Sequence, residues 1–161
     1  MTALLLSLFV SQATANELLE QLTKEIASSG DQAENPFSAR AEPLHATAGK
    51  DAKLTVIFAV PPGATLYQDT VAVEVIDAGG LTLGAADLPP SFERIDEITG
   101  LPRQVYELDA YVEIPVAGHP TPGSYTVQLQ VHFQGCKDGI CFFPATRRIP
   151  VTVTVAAPAE G

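Results

Sequence analysis

The chain has 161 residues, a formal net charge of -10, 13 prolines and 12 glycines. That length holds one domain with short appendages and suffices for a real hydrophobic core. The acidic balance opposes approach to nucleic acid or an anionic membrane surface, and the sequence has no phosphate-cradling glycine loop, nucleotide fingerprint or Ser/His/Asp constellation.

Leu4 to Val10 form a short apolar run followed by Ala13-Thr14-Ala15, the small-x-small pattern at which a signal peptidase cleaves. No Lys or Arg precedes the run, which departs from the usual basic start of such a leader. The run is also too short to cross a bilayer as a helix, which takes about 20 apolar residues. Residues 1–15 are therefore expected to be a signal peptide, removed on export. Leu18, Leu19, Leu22 and Ile26 share one helical face, with Asn16 as N-cap and Gly30 past the last turn. Residues 16–35 are read as this short helix and a linker.

From Pro36 onward the pattern is that of strands. Ala52 to Val60 is a β-branched run stopped by Pro61-Pro62-Gly63. Val71, Val73 and Val75 alternate with Ala72 and Glu74 before the turn Ala78-Gly79-Gly80. Leu88 to Arg103 lacks strand periodicity, and a connection of that length is more often a functional loop than filler. Tyr106 to Val116 alternates apolar and polar residues as one half-buried strand, ended by His119-Pro120-Thr121-Pro122-Gly123. Val127, Leu129, Val131 and Phe133 alternate with Gln128, Gln130, His132 and Gln134, and Val151, Val153 and Val155 close the sheet. Short strands separated by Pro/Gly turns predict an all-β fold, an immunoglobulin-like antiparallel β-sandwich of two sheets, over residues 36–157. Residues 158–161 are read as a tail.

The chemistry centres on Phe133 to Pro144, F-Q-G-C-K-D-G-I-C-F-F-P, which holds the only two cysteines, Cys136 and Cys141. Asp138-Gly139 between β-rich flanks predicts a type I′ hairpin turn. Lys137 and Ile140 then close the turn, and the cysteines become the next, non-hydrogen-bonded pair, with Cα atoms roughly 4.5 Å apart. A disulfide can bridge that distance. Parity along the preceding strand puts Cys136 on the wet face, unless a bulge at Gly135 reverses it. Phe142 and Phe143 follow directly; in a regular strand one of them faces away from the core, beside the sulfurs.

Several readings remain open on these residues. The bond is either a staple of an exported binding or structural module or, closing a short loop on the solvent side, a bond placed for exchange. A metal site would need His132, or His45 and His119, to join the cysteines, and these histidines are scattered rather than paired at ligand spacing. A cysteine nucleophile with a histidine base is disfavoured, because the second cysteine would capture the thiolate.

The run Q-G-C-K-D-G-I-C-F-F-P, with Leu66-Tyr67 before a Val-alternating strand and Asp96-Glu97-Ile98-Thr99-Gly100 at the place of a lid loop, resembles the N-terminal periplasmic domain of the DsbD family of transmembrane reductant conductors. The resemblance extends over most of Pro36 to Val155. It implies an immunoglobulin-like fold and a redox-active cysteine pair that needs no metal or organic cofactor. That pair takes electrons from a membrane-embedded donor through a thioredoxin-like domain and passes them to periplasmic thiol oxidoreductases. It further implies that Cys141 forms the mixed disulfide with partners and that Cys136 resolves it. Tyr67, Asp96 and Glu97 fall at the site, where a carboxylate influences thiol ionisation. Ile98 and Thr99 stand where the family carries aromatic lid residues, leaving Phe92 or Phe143 to compensate. The cysteines are also one residue closer in sequence than in the family's pattern. The expected location is the periplasm, and the expected electron donor is another polypeptide.

Overall fold

A computed structural model of the chain describes residues 35–96, 98–117 and 121–158. The expected leader and the expected N-terminal helix, together with Glu97, His119 and the last three residues, 159–161, lie outside the described residues. The strands are β1 (Ser38–Ala41), β2 (Leu44–Thr47), β3 (Ala52–Ala59), β4 (Ala64–Tyr67), β5 (Ala72–Asp77), β6 (Thr82–Leu83) and β7 (Phe92–Ile95). They continue as β8 (Pro102–Tyr106), β9 (Ala110–Ala117), β10 (Gly123–Phe133), β11 (Gly135–Lys137), β12 (Ile140–Cys141) and β13 (Ala145–Ala156). A single 3-10 turn, Gln68–Thr70, joins β4 to β5.

Two four-stranded sheets, ordered β1-β3-β9-β6 and β2-β13-β10-β5, enclose the core. Their inward positions follow the period of two: Leu54, Val56 and Phe58 on β3, Val112 and Ile114 on β9, Val127, Leu129, Val131 and Phe133 on β10, and Val151, Val153 and Val155 on β13 are all buried. Phe58 and Phe133 meet edge to face across this layer, 5.8 Å between centroids. The architecture is the immunoglobulin-like sandwich expected from the alternation.

Three expectations are corrected. A third, five-stranded sheet, β12-β11-β4-β8-β7, caps one region of the sandwich, and β2 pairs with β13 in parallel. The alternating run Tyr106 to Val116 is two strands, not one. It breaks at Glu107–Asp109, so that β8 pairs with β4 while β9 pairs with β3; Leu108 at the break is exposed. Asp109 occupies the corner, its Oδ1 accepting a hydrogen bond from the Val60 amide at 2.9 Å. Apolar residues fall at Tyr106, Leu108 and Ala110 straight through the corner, which is why the sequence does not reveal it, although on β8 itself Val105 and Tyr106 are both buried. Finally, Leu88 to Arg103 is not irregular, because β7 and β8 form a hairpin within it. All four residues of β7 are exposed, so this edge strand has no buried face from which a period could be read.

Candidate active site

The third sheet exists to present the hairpin. β10 leaves the second sheet at Gln134 and resumes as β11 against β4, with Gly135 opposite Leu66 and Cys136 opposite Thr65. The junction is fixed by Thr70, whose hydroxyl accepts from the Gln134 amide at 2.9 Å and donates to the Tyr67 carbonyl at 2.8 Å. The Tyr67 amide in turn donates to the Gln134 carbonyl at 3.0 Å. Gly135 is required by proximity, since a Cβ there would collide with the Phe37 ring and the Thr65 carbonyl oxygen.

Asp138 and Gly139 have φ of 52° and 74°, the left-handed pair that a type I′ turn demands. Lys137 faces Ile140 and Cys136 faces Cys141, and the Phe142 amide donates to the Gly135 carbonyl at 3.0 Å beyond them. The two sulfurs are bonded, with Cα atoms 3.9 Å apart. No bulge intervenes at Gly135: Phe133 and Gly135 are buried, whereas Cys136 is half-buried and Cys141 exposed. The two cysteines therefore differ in exposure, Cys141 being the more open residue.

Tyr67, buried at the end of β4, contacts the Cys136 sulfur. Its hydroxyl oxygen lies 2.9 Å from Cys136 Sγ and 3.7 Å from Cys141 Sγ, and it donates to Asp96 Oδ2 at 2.5 Å. Asp96 is the only buried charged residue among those described. Its other oxygen accepts from the Thr99 amide at 2.7 Å and the Thr99 hydroxyl at 2.8 Å. The Tyr67 hydroxyl, followed by the Thr99 amide and hydroxyl, holds the Asp96 carboxyl down at about 2. Burial, reinforced by the Asp96 charge, pushes the Tyr67 phenol up to about 12. On the ring face, the Arg103 guanidinium sits 3.6 Å from the Tyr67 centroid. Its Nη2 also donates to both carboxylate oxygens of Asp69 at 3.0 Å.

A cleft of about 350 Å³ opens between the β7–β8 hairpin and the cysteine hairpin, lined by Tyr67, Ile95, Asp96, Ile98, Val105 and Cys136 among others. The structure thus brings Tyr67, Asp96, Ile98 and Cys136 together, and places Thr99 behind Asp96. Phe92 and Phe143 do not line the cleft, and both are exposed. Phe142 turns inward and packs edge-on against Phe37 at 6.1 Å. Arg103, Ile95 and Thr70 were not singled out from the sequence. Their roles arise from contacts between strands distant along the chain, and no local motif marks them. Among the described residues no cluster of three or more His, Cys, Asp or Glu side chains is arranged to hold a metal ion. His132 Nδ1 is within 3.0 Å of the Thr146 hydroxyl.

Residues 34–153 match the family model described as "Thiol:disulfide interchange protein DsbD, N-terminal". The chain belongs to this family. It is 32% identical over 130 residues to thiol:disulfide interchange protein DsbD 1 of Pseudomonas aeruginosa, covering 80% of this chain and 20% of that protein. It is 30% identical over 106 residues to DsbD of Yersinia pestis, covering 65% of this chain and 16% of that one. The chain thus spans a fifth or less of the length of these DsbD relatives. The fold resembles the crystal structure of the Neisseria meningitidis DsbD N-terminal domain in the reduced form, with a TM-score of 0.55 at 23% identity, covering 80% of this chain and 94% of that one. It also resembles the structure of the complex between the DsbD and PilB N-terminal domains from the same organism, with a TM-score of 0.52 at 24% identity, covering 73% and 83%.

Proposed function

We propose that this DsbD-type domain is a periplasmic thiol–disulfide exchange module that relays reducing equivalents through Cys136 and Cys141. The observation carrying the reading is the asymmetry of the pair, with residue Cys141 exposed, residue Cys136 half-buried, and the Tyr67 hydroxyl 2.9 Å from Cys136 Sγ.

In the reductive half-reaction a partner's thiolate attacks Cys141 Sγ. The Cys141–Cys136 bond breaks, a mixed disulfide forms with Cys141, and Cys136 leaves as a thiolate. A second thiolate of the same partner then attacks the partner's own sulfur in that mixed disulfide and releases Cys141. The partner dithiol has lost two electrons and the domain's pair has gained them, with two protons taken up at its sulfurs. Delivery to an oxidised acceptor is the reverse: Cys141 attacks the acceptor disulfide, and Cys136 resolves the mixed disulfide.

The surrounding groups suit this sequence of steps. A phenol pushed up to about 12 keeps its proton at neutral pH. That one proton, given in a hydrogen bond to Asp96 while the bond is closed, turns to the Cys136 sulfur as it leaves and stabilises it by hydrogen bonding. Asp96, held at about 2, stays ionised and has no proton to give. The proton that finally rests on Cys136 therefore comes from solvent. No metal or organic cofactor takes part in these steps.

Thioredoxin-like periplasmic proteins fed by a membrane reductant conductor are the proposed donors, and periplasmic oxidoreductases the acceptors. Family membership supports this assignment, as does the reported complex of a related DsbD N-terminal domain with a PilB N-terminal domain. An oxidising compartment, in which such a bond persists, fits the proposed location. A Cys136→Ala variant leaves Cys141 without its resolving partner. In a periplasmic extract it should accumulate mixed disulfides that collapse on reduction, whereas Cys141→Ala should accumulate few. Monomer alone on non-reducing gels from Cys136→Ala overturns the reading.

A further inference from the structure

We infer that Arg103 is a positioning residue for thiol–disulfide exchange: clamped by Asp69 and stacked on the Tyr67 ring, it holds the phenol so that its hydroxyl stays on Cys136 Sγ. The inference rests on the exchange reading above and assigns part of the site's control to a group that touches neither sulfur.

Tyr67 is anchored at two places. Its hydroxyl is tied to Asp96, which fixes one end of a ring already packed in the sheet. The second anchor is the guanidinium, 3.6 Å from the ring centroid, close enough for a cation–π contact. The guanidinium has its own restraint, since Nη2 contacts both oxygens of Asp69 at 3.0 Å. The three residues come from adjoining parts of the sheet: Tyr67 from the end of β4, Asp69 from the 3-10 turn that follows it and Arg103 from β8, the strand that pairs with β4. The stack is therefore built into the sheet.

Charge makes the same residue useful while the bond is open. Reduction creates a sulfur anion at Cys136 beside a phenol already hydrogen-bonded to the Asp96 carboxylate. Of the cations around the cleft, Arg94 is engaged by both oxygens of Glu107, at 2.8 and 3.0 Å. Lys137 lies on the hairpin next to Cys136, with Asp138 following it. Arg103 is the cation stacked on the phenol that faces the sulfur. Its pull on the ring electrons strengthens the hydroxyl as a donor, and favours the swing of its one proton from Asp96 to the sulfur anion when that anion forms.

The test is the rate at which dithiothreitol reduces the bond in the full chain, measured from neutral to mildly alkaline pH. The variants are Arg103→Met, Arg103→Lys, Asp69→Asn, Lys137→Met, Tyr67→Phe and the double variant Tyr67→Phe/Arg103→Met. Arg103→Met should slow reduction roughly threefold to tenfold, Arg103→Lys should recover part of that loss, and Asp69→Asn should slow it less than Arg103→Met. Lys137→Met removes a charge beside Cys136 but no ring contact, so its slowing should be smaller than that of Arg103→Met. In the Tyr67→Phe background, where the hydroxyl is gone, Arg103→Met should add no further slowing. That non-additivity marks action through the phenol.

A rate for Arg103→Met equal to wild type overturns the inference, as does the same fold-slowing with and without the Tyr67 hydroxyl. If Arg103→Met fails to fold, Asp69→Asn against Tyr67→Phe/Asp69→Asn carries the same cycle, and additivity there overturns the inference as well. A wild-type domain whose Cys136→Ala form traps no partner overturns the exchange reading and this inference together. Trapping by that form with no effect of Arg103 overturns this inference alone.

Discussion

The phenolic oxygen of Tyr67 is 0.8 Å nearer to Cys136 Sγ, at 2.9 Å, than to Cys141 Sγ, at 3.7 Å. A single hydroxyl therefore distinguishes two sulfurs that are otherwise neighbours on facing strands. The sulfur it serves belongs to the half-buried cysteine, the leaving group in the proposed exchange.

Tyr67→Phe keeps the ring and removes only that donor. A hydrogen bond to a charged group contributes about 1.5–3 kcal/mol, so attack at Cys141 should slow on the order of tenfold to a hundredfold. Rapid-mixing kinetics of reduction by a small dithiol will measure it, with circular dichroism to show that the fold is retained. An unchanged rate would remove Tyr67 from the reaction.

Asp96 makes a prediction about acid. Its folded value, about 2, lies below the ordinary 3.8, so folding favours the ionised form. The stabilisation is fully present above about pH 4 and is lost as pH falls through about 2. Asp96→Asn cannot titrate, so its stability should vary less between those limits than that of wild type. Urea midpoints at pH values across this window will show whether the two curves converge in acid, as expected, or stay parallel.

Gly135→Ala tests the seat of the hairpin. The added methyl would meet the Phe37 ring and the Thr65 carbonyl, and overpacking of this kind costs about 1–3 kcal/mol. The urea midpoint should fall accordingly. Because β11 must move off β4 to make room, the spacing between Tyr67 and Cys136 should change too, and reduction kinetics should change with it.

Much of this arrangement was legible before any coordinates. Alternation at Val127 to Phe133 located the core face of β10, and Asp138-Gly139 set the turn that pairs the cysteines, because both signals are local. Asp96 and Tyr67 were marked only through the family resemblance. What stayed hidden depends on strands changing sheets. Apolar residues at every second position run straight through the corner at Glu107–Asp109, and the fully exposed β7 has no buried face. Arg103 reaches Tyr67 only because β8 lies beside β4. Phe92 and Phe143, attractive as shields by residue type, sit at exposed positions on β7 and beyond β12 and do not line the cleft.

The equilibrium reduction potential of the Cys136–Cys141 pair, measured against a thiol–disulfide buffer at neutral pH, separates a working exchange bond from a staple. Structural disulfides of exported proteins fall below about −300 mV, while exposed, exchanging ones lie above it. The account predicts a value above about −300 mV; a value well below it would mean that the bond only holds the hairpin together.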